Sequence, residues 1–553
     1  MKKTIFIVNE IKKFNVFLKF TLIFMVLILL MDRCTENFES YNTNPIQITD
    51  DQLKYDFNDI GLYYIGIQKA IFSTPSAWQI RTNLSSDCYC GYCQSANPFR
   101  GNLNNQNYVM VNSWNSSAWG AYNEIMGPIR NIKYKDAPTE NPHFWAIALI
   151  LQVQGMSVLT DNFGPIPYSQ VGLNKTTPYD SQKDIYNLFF AQLDTAILNL
   201  QTYITEYPGI KPFSKFDMIY KGDYVKWLKY ANSLRLRLAM RIANIDPTTA
   251  KKQALLAINN SGGLIEANSD NAVISGFGYV NPIWHVGTQF RDLHSGASLT
   301  TYLTGYNDPR LPKYLSPAGT TSKVPESIEG KYVGIRAGTP VGALPMYLGY
   351  TQPNWNTIQQ FTPIVVMNAA EIWFLRAEAA LRSWTTENVQ VNYEKGITIS
   401  MDQWGVSVGD YLNNGNSTQA NYEDPLTPTV GVPNASINAV SNITIKWDSN
   451  DTNERKLERI ITQKWIALWP SGGHEAWAEY RRTCYPRLFP VVVNNSNFAS
   501  TDLQIRRLPY PSSEYINNKE EVTKASSLLG GPDNEGTPVW WDTNKGRPDP
   551  INF

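Results

Sequence analysis

The chain has 553 residues, with 48 basic and 48 acidic side chains, so its formal net charge is zero and it lacks the basic field that a nucleic-acid partner calls for. Aromatic residues make up 12% and charged residues only 17%, which is more aromatic surface than helix packing alone requires and enough to line a groove. There is no G-x-x-x-x-G-K-[ST] phosphate loop and no H-E-x-x-H zinc helix, and His143, His285, His294 and His474 are not spaced as a metal pair.

The N-terminus reads as an address. Lys2, Lys3, Lys12, Lys13 and Lys19 precede the apolar run FTLIFMVLILLM, Phe20–Met31. As a helix that run reaches roughly 18 Å, short of a ~30 Å hydrocarbon core, so a signal-peptide core fits better than a permanent span. Cys34 follows almost at once, at the place for lipid attachment, although Asp32 and Arg33 stand where small residues are usual. The expected organisation is a lipoprotein signal peptide over 1–33, an anchor and tether over 34–50, and one folded domain over 51–553. No other stretch is expected to span a membrane.

The other cysteines are Cys88, Cys90, Cys93 and Cys484. In an exported chain the CYCGYC cluster is compatible with disulfides, with part of a zinc site, or with free thiols.

A first helix is expected over Gln52–Phe72. Thr74–Trp114 then loses the helical period among Asn, Ser and aromatic residues, and forms a first long excursion. Ala118–Lys133 and His143–Leu159 make an antiparallel pair. Ser181 is the N-cap of a helix whose stripe includes Ile185, Phe189, Leu193 and Leu200. Its partner is Tyr224–Ala243, with Arg235, Arg237 and Arg241 on a solvated or salt-bridged face. Lys251–Asn259 is a short helix. Ser261–Gln360 is a second excursion with a few short strands. Helices return at Asn368, with Glu378 and Arg382 paired at i,i+4 on the outside, and again at Tyr393–Trp404.

Glu454–Pro486 is the clearest unit. Leu457, Ile461, Trp465 and Leu468 share one helix face, while Glu454, Arg455, Glu458 and Arg459 mark the wetter side. Pro470, Gly472 and Gly473 reverse the chain, and a second helix, His474–Thr483, turns Trp477 and Tyr480 inward. Such a hairpin cannot bury its own apolar face and needs others stacked on it. The expected fold is therefore all-α: tetratricopeptide-like helix pairs stacked as a scaffold, with long irregular excursions and few short strands. Glu371, Glu378, Glu475 and Glu479 fall on these helices, where solvent exposure is expected. From Asn494 the tail is expected to be mostly irregular.

Several segments, in order, resemble one family. They are CTENFESYNTNP, TDNFGPIPYSQ with TTPYDSQKDIY, YKGDYVKWLKYANSLRLRLAMRI, DPRLPKY with KYVGIRAGT, MNAAEIWFLRAEAALRSW with YEKGITISMDQWGV, QKWIALWPSGGHEAWAEYRRTCYPRL, and RRLPYPSSEY with TPVWWD. Together they are similar to SusD/RagB-type outer-membrane lipoproteins across essentially the whole mature chain. The resemblance implies lipidation at Cys34, exposure at the bacterial outer-membrane surface, and a SusC-like TonB-dependent transporter as partner. It also implies capture of oligosaccharides, or of peptides in some branches, without catalysis, cofactor or metal.

A sugar presents an apolar C–H face and a hydroxyl rim, which suits aromatic faces flanked by amides. The ligand loops are placed at about 74–115 and 261–360, with Trp78, Trp114, Trp284 and Tyr306 as the expected contact residues. Two rival functions remain open. A surface glycoside hydrolase would need two carboxylates about 5–9.5 Å apart across a groove. A structural lid would bind only the transporter.

Overall fold

The computed structural model describes residues 2–35, 53–173, 176–319, 328–342, 346–426, 434–544, 550 and 552–553. The side chain of Cys34 and residues 36–50 of the expected tether lie outside the described residues. The chain divides into a unit of residues 1–59, whose helix α1 runs Lys2–Thr35, and a body of residues 60–553.

Helices longer than one turn are numbered in chain order: α2 Asn58–Phe72, α3 Asn112–Tyr134, α4 Pro142–Phe163, α5 Gln182–Glu206, α6 Tyr224–Arg241, α7 Pro247–Ile258 and α8 Ala297–Gly305. They continue as α9 Ala369–Leu381, α10 Val389–Gln403, α11 Asn453–Leu468, α12 Gly473–Thr483, α13 Ser512–Asn517 and α14 Lys519–Leu528. Neighbours in sequence pack as pairs, α3 on α4, α4 on α5, α5 on α6, α6 on α7 and α9 on α10, and α11 packs on both α9 and α10. This is the stacked, tetratricopeptide-like scaffold that the hairpin pattern calls for.

Local chemistry sets the helix starts. Ser181 Oγ accepts from the Asp184 amide at 3.2 Å, and Asn368 Oδ1 accepts from the Glu371 amide at 2.8 Å, each filling a donor that the first turn leaves without a helical partner. Trp465, Trp477 and Tyr480 are buried, as the hairpin's inner surface requires. Helix α4 is long and apolar enough to cross a membrane, but 89% of its apolar stretch is buried inside the fold, so it is a core helix. That corrects the expectation that no second stretch would pass as a span. The tail is also more ordered than expected, since α13 and α14 lie in it.

The largest departure concerns charge. Glu371, Glu378, Glu458, Arg459, Glu475 and Glu479 are buried, not solvated, while Arg235, Arg237 and Arg241 take the salt-bridged alternative but do so buried. Arg237 pairs with Glu371 at 2.6 Å, Arg241 reaches Glu475 and Glu479 at 2.5 and 2.7 Å, and Arg482 joins Glu378 and Glu479 at 2.7 Å each. Lys464 closes the set at 3.0 Å from Glu475. Arg382 does pair with Glu378 at 2.9 Å, but inside the stack. Helical pattern alone misplaces these residues because α6, α9, α11 and α12 converge, so polar faces meet one another rather than water. Burial raises a carboxyl's pKa, yet at Glu475 the charges of Arg241, Lys464 and Arg237 win and hold it well below the usual range.

Among the described residues every sheet is two-stranded and antiparallel: β1 Cys93–Gln94 with β5 His294–Ser295, β2 Ile166–Pro167 with β3 Tyr179–Asp180, β4 Ala272–Ile274 with β8 Ile364–Met367, and β6 Leu315–Ser316 with β7 Gln352–Pro353. Of these, the β1–β5 pair straps the first excursion to the second.

Candidate functional site

Each excursion carries a helical turn that widens into a π turn. In the first, Pro75–Trp78 leads into Gln79–Asn83; in the second, Pro282–His285 leads into Val286–Phe290. π turns interrupt regular helices and cluster at functional sites. Here the turn 282–285 packs against the turn 75–78. The Gln79 amide then donates to Asp292 Oδ2 at 2.7 Å, and Asn97 Nδ2 lies 3.4 Å from Asp292 Oδ1. Burial pushes the Asp292 carboxyl up, against the pull of these two amides.

Aromatic rings surround this polar knot. Trp284 is half-buried, and Phe290 is 38% exposed with its ring 4.9 Å from that of His285. Trp355 lies flat against Gly287, where a Cβ would come within 2.1 Å of the indole, so only glycine admits the ring there. Its Nε1 donates to Gln352 Oε1 at 3.1 Å, and Gln352 Nε2 lies 3.1 Å from His294 Nε2 on β5. The contacts therefore run without a break from Gln79 through Asp292 and the 286–290 turn to Trp355, Gln352 and back to the β1–β5 strap. The result is a surface of half-open rings interleaved with amides. Nearby, a cavity of about 350 Å³ is walled by Ile283, Ile358, Ile364, Trp404 and Pro470 and rimmed by Asn281, Thr357 and Thr362.

Of the expected contact residues, Trp284 is half-buried on the turn Pro282–His285, its ring 6.5 Å from that of His285. Trp78 does not present its ring: it is 1% exposed and stacked on Phe72 at 6.3 Å. Tyr306 is also 1% exposed, with its hydroxyl donating to the Ile443 carbonyl at 3.0 Å. Both are packed beneath the loops. Trp114 is half-buried at the start of α3, edge-on to Phe99 at 5.8 Å, outside the run of contacts just traced. Gln79, Phe290, Asp292 and Gln352 were not singled out by sequence. Phe290 follows a single turn, and the Gln79–Asp292 pairing leaves no local signal.

Glu371, Glu378, Glu475 and Glu479 are held in the buried ion pairs. One G-x-S-x-G string does occur, Gly405–Gly409, but it follows helix α10 and leads into a turn, not the strand-to-helix elbow that activates a serine. Among the described residues no group of three or more His, Cys, Asp or Glu is arranged to hold a metal ion.

A family model described as Susd and RagB outer membrane lipoprotein matches residues 40–542. Solved structures are similar over most of the chain. A chitin-binding SusD homolog from Flavobacterium johnsoniae is 37% identical, with a TM-score of 0.83, covering 89% of this chain and 100% of its own. A SusD homolog from Bacteroides vulgatus is 37% identical at a TM-score of 0.83, covering 89% of this chain and 99% of its own. One from Bacteroides uniformis is 38% identical at a TM-score of 0.79, covering 88% and 99%. No curated protein matches the chain.

Proposed function

Because the chain belongs to the SusD-like family of outer membrane lipoproteins, we propose that it captures oligosaccharides at the cell surface and hands them to a SusC-like TonB-dependent transporter, without chemistry of its own. The observation that carries this reading is the composite surface of Trp284, Phe290 and Trp355 with Gln79, Asn97 and Gln352. Half-open rings suit the C–H faces of sugars, and side-chain amides suit their hydroxyl and acetamido groups. Several shallow contacts favour weak, reversible capture, which a hand-over requires. In this reading residues 1–33 are removed on export, Cys34 carries the lipid, 34–50 form the tether and the remainder is one ligand-binding domain.

The chitin-binding relative supports β-linked N-acetylglucosamine oligomers as the first ligand class to test. Residues 35–553 would be titrated calorimetrically with chitin oligosaccharides, with other soluble glycans and with oligopeptides. Binding of an oligosaccharide that is lost in Trp284→Ala is the expected result. Binding of a peptide alone would move the ligand class. Absence of binding, with a SusC-like barrel still co-purifying from membranes, would leave a structural lid.

A further inference from the structure

The CYCGYC cluster is unused by the ligand surface, yet its geometry is specific. Cys88 lies within the helical turn Ser86–Tyr89, Cys93 opens β1, and all three thiols of the cluster are buried. Cys88 Sγ and Cys93 Sγ lie 3.9 Å apart and lean on the same acceptor, the Asn83 carbonyl, at 3.1 and 3.5 Å. Cys90 points away, its Sγ 3.4 Å from the Asp87 carbonyl. The segment between is already docked: Tyr92 Oη donates to the Trp465 carbonyl at 2.5 Å, and Trp465 Nε1 donates to the Cys90 carbonyl at 2.8 Å. Cys93 itself pairs with Ser295 in the β1–β5 strap.

We propose that in the exported protein Cys88 and Cys93 are joined by a disulfide that clips the turn Ser86–Tyr89 to strand β1 beneath the ligand surface. The outer membrane lies beyond the reducing cytosol, where such bonds form and persist. The two thiols give up two protons and two electrons to a disulfide donor, which leaves as two thiols, by thiol–disulfide exchange through a mixed disulfide. The sulfurs must close by roughly 1.9 Å to reach bonding distance. The Asn83 carbonyl gives up two S–H donors, which are weak ones. Burial, reinforced by the neighbouring Cys88, pushes the Cys93 thiol up, so the exchange belongs to export and folding, before the cluster is covered.

The test uses the full chain exported by a bacterial host. The protein is unfolded in denaturant with iodoacetamide and no reductant, then digested with trypsin, which releases Thr82–Arg100 with all three clustered cysteines. One alkyl group, located on Cys90 by fragmentation, with the peptide two hydrogens lighter than its reduced form, is the expected result. Three alkyl groups, or one on Cys88 or Cys93, would overturn the pairing. A second readout is thermal: reductant should lower the melting temperature of the native chain by roughly 2 °C, since a ring this short removes little chain entropy, and should leave Cys88→Ser unmoved. If that variant does not fold, the peptide map alone decides.

Discussion

The Gln79 side-chain amide donates to Asp292 Oδ2 at 2.7 Å across 213 positions of sequence. That bond joins the π turn of one excursion to the end of the other, so it fixes how the aromatic rings of the second face the amides of the first. Gln79→Ala leaves a buried carboxyl with only the longer contact to Asn97. It should cost about 1–3 kcal/mol of stability and weaken oligosaccharide binding as well. Urea unfolding and calorimetry on the same variant check both, and a loss of stability with ligand affinity unchanged would detach the knot from the site.

Trp284→Ala and Trp78→Ala should differ in kind. Trp284 is half-open, so its truncation should abolish most ligand binding while leaving the unfolding midpoint within a fraction of a molar of the parent. Trp78 is fully packed against Phe72, and its truncation should cost about 3–5 kcal/mol through cavity formation. Parallel urea curves and titrations distinguish them. Equal destabilisation by both would place Trp284 in the packing as well.

Gly287→Ala tests the seat of Trp355 without substituting the tryptophan itself. The added methyl would sit 2.1 Å from the indole and expel the ring from its seat. Ligand affinity should fall roughly tenfold or more, the scale of one aromatic ring's contribution to binding, while Trp355→Ala should add little further loss in the double variant. Additive losses would show that Gly287 acts elsewhere.

These residues mark what was legible in the sequence. The capped helix starts at Ser181 and Asn368 were, whereas α2 begins at Asn58 rather than the expected Gln52 and α3 at Asn112 rather than Ala118; the α11–α12 hairpin was, because its apolar stripe and its Pro-Gly-Gly stop lie within one window. That both excursions gather rings was also legible, since both lose helical period; which of those rings stay open was not. Whether a tryptophan is a ligand platform or a wedge depends on what covers it, and Trp78 is covered by Phe72 while Trp284 is not covered by its neighbours. The buried charges were misplaced for the same reason: Glu479 is polar by type but is met by Arg241 and Arg482 from other turns of the stack.

Glu479→Gln should therefore be severe. The carboxylate sits 2.7 Å from both Arg241 and Arg482 and 3.4 Å from Lys464. Removing it leaves three buried cations, Arg241, Lys464 and Arg482, to share the charges of Glu475, Asp161 and Glu378, at about 3–5 kcal/mol. The folded fraction of the exported protein should drop, and circular dichroism should show an earlier melt. A variant as stable as the parent would mean that the network is hydrated.

Acid should destabilise the protein in two successive windows. Burial lowers His143 and His294 to about 4, and burial with the charge of Arg481 does the same to His474, against an ordinary 6.5. The unfolded chain binds more protons than the folded one between these values, so stability is full above 6.5 and falls as pH drops toward 4. Each histidine contributes a slope of up to about 1.4 kcal/mol per pH unit. Below 4.5 the depressed carboxyls Glu475 and Glu479 join in, since their stabilisation is present above the unfolded value and is lost as pH falls through the folded one. Urea midpoints measured from about pH 7.5 down to 5 should decline, offset in part by Asp87, whose carboxyl burial pushes up to about 8, so that the folded chain takes up that proton before the unfolded one does. His474→Gln, which keeps a neutral polar group near Thr82, should flatten that decline, because one of the three histidine protonation sites is gone. A midpoint constant down to pH 5 would show that these rings take up their protons in the folded state.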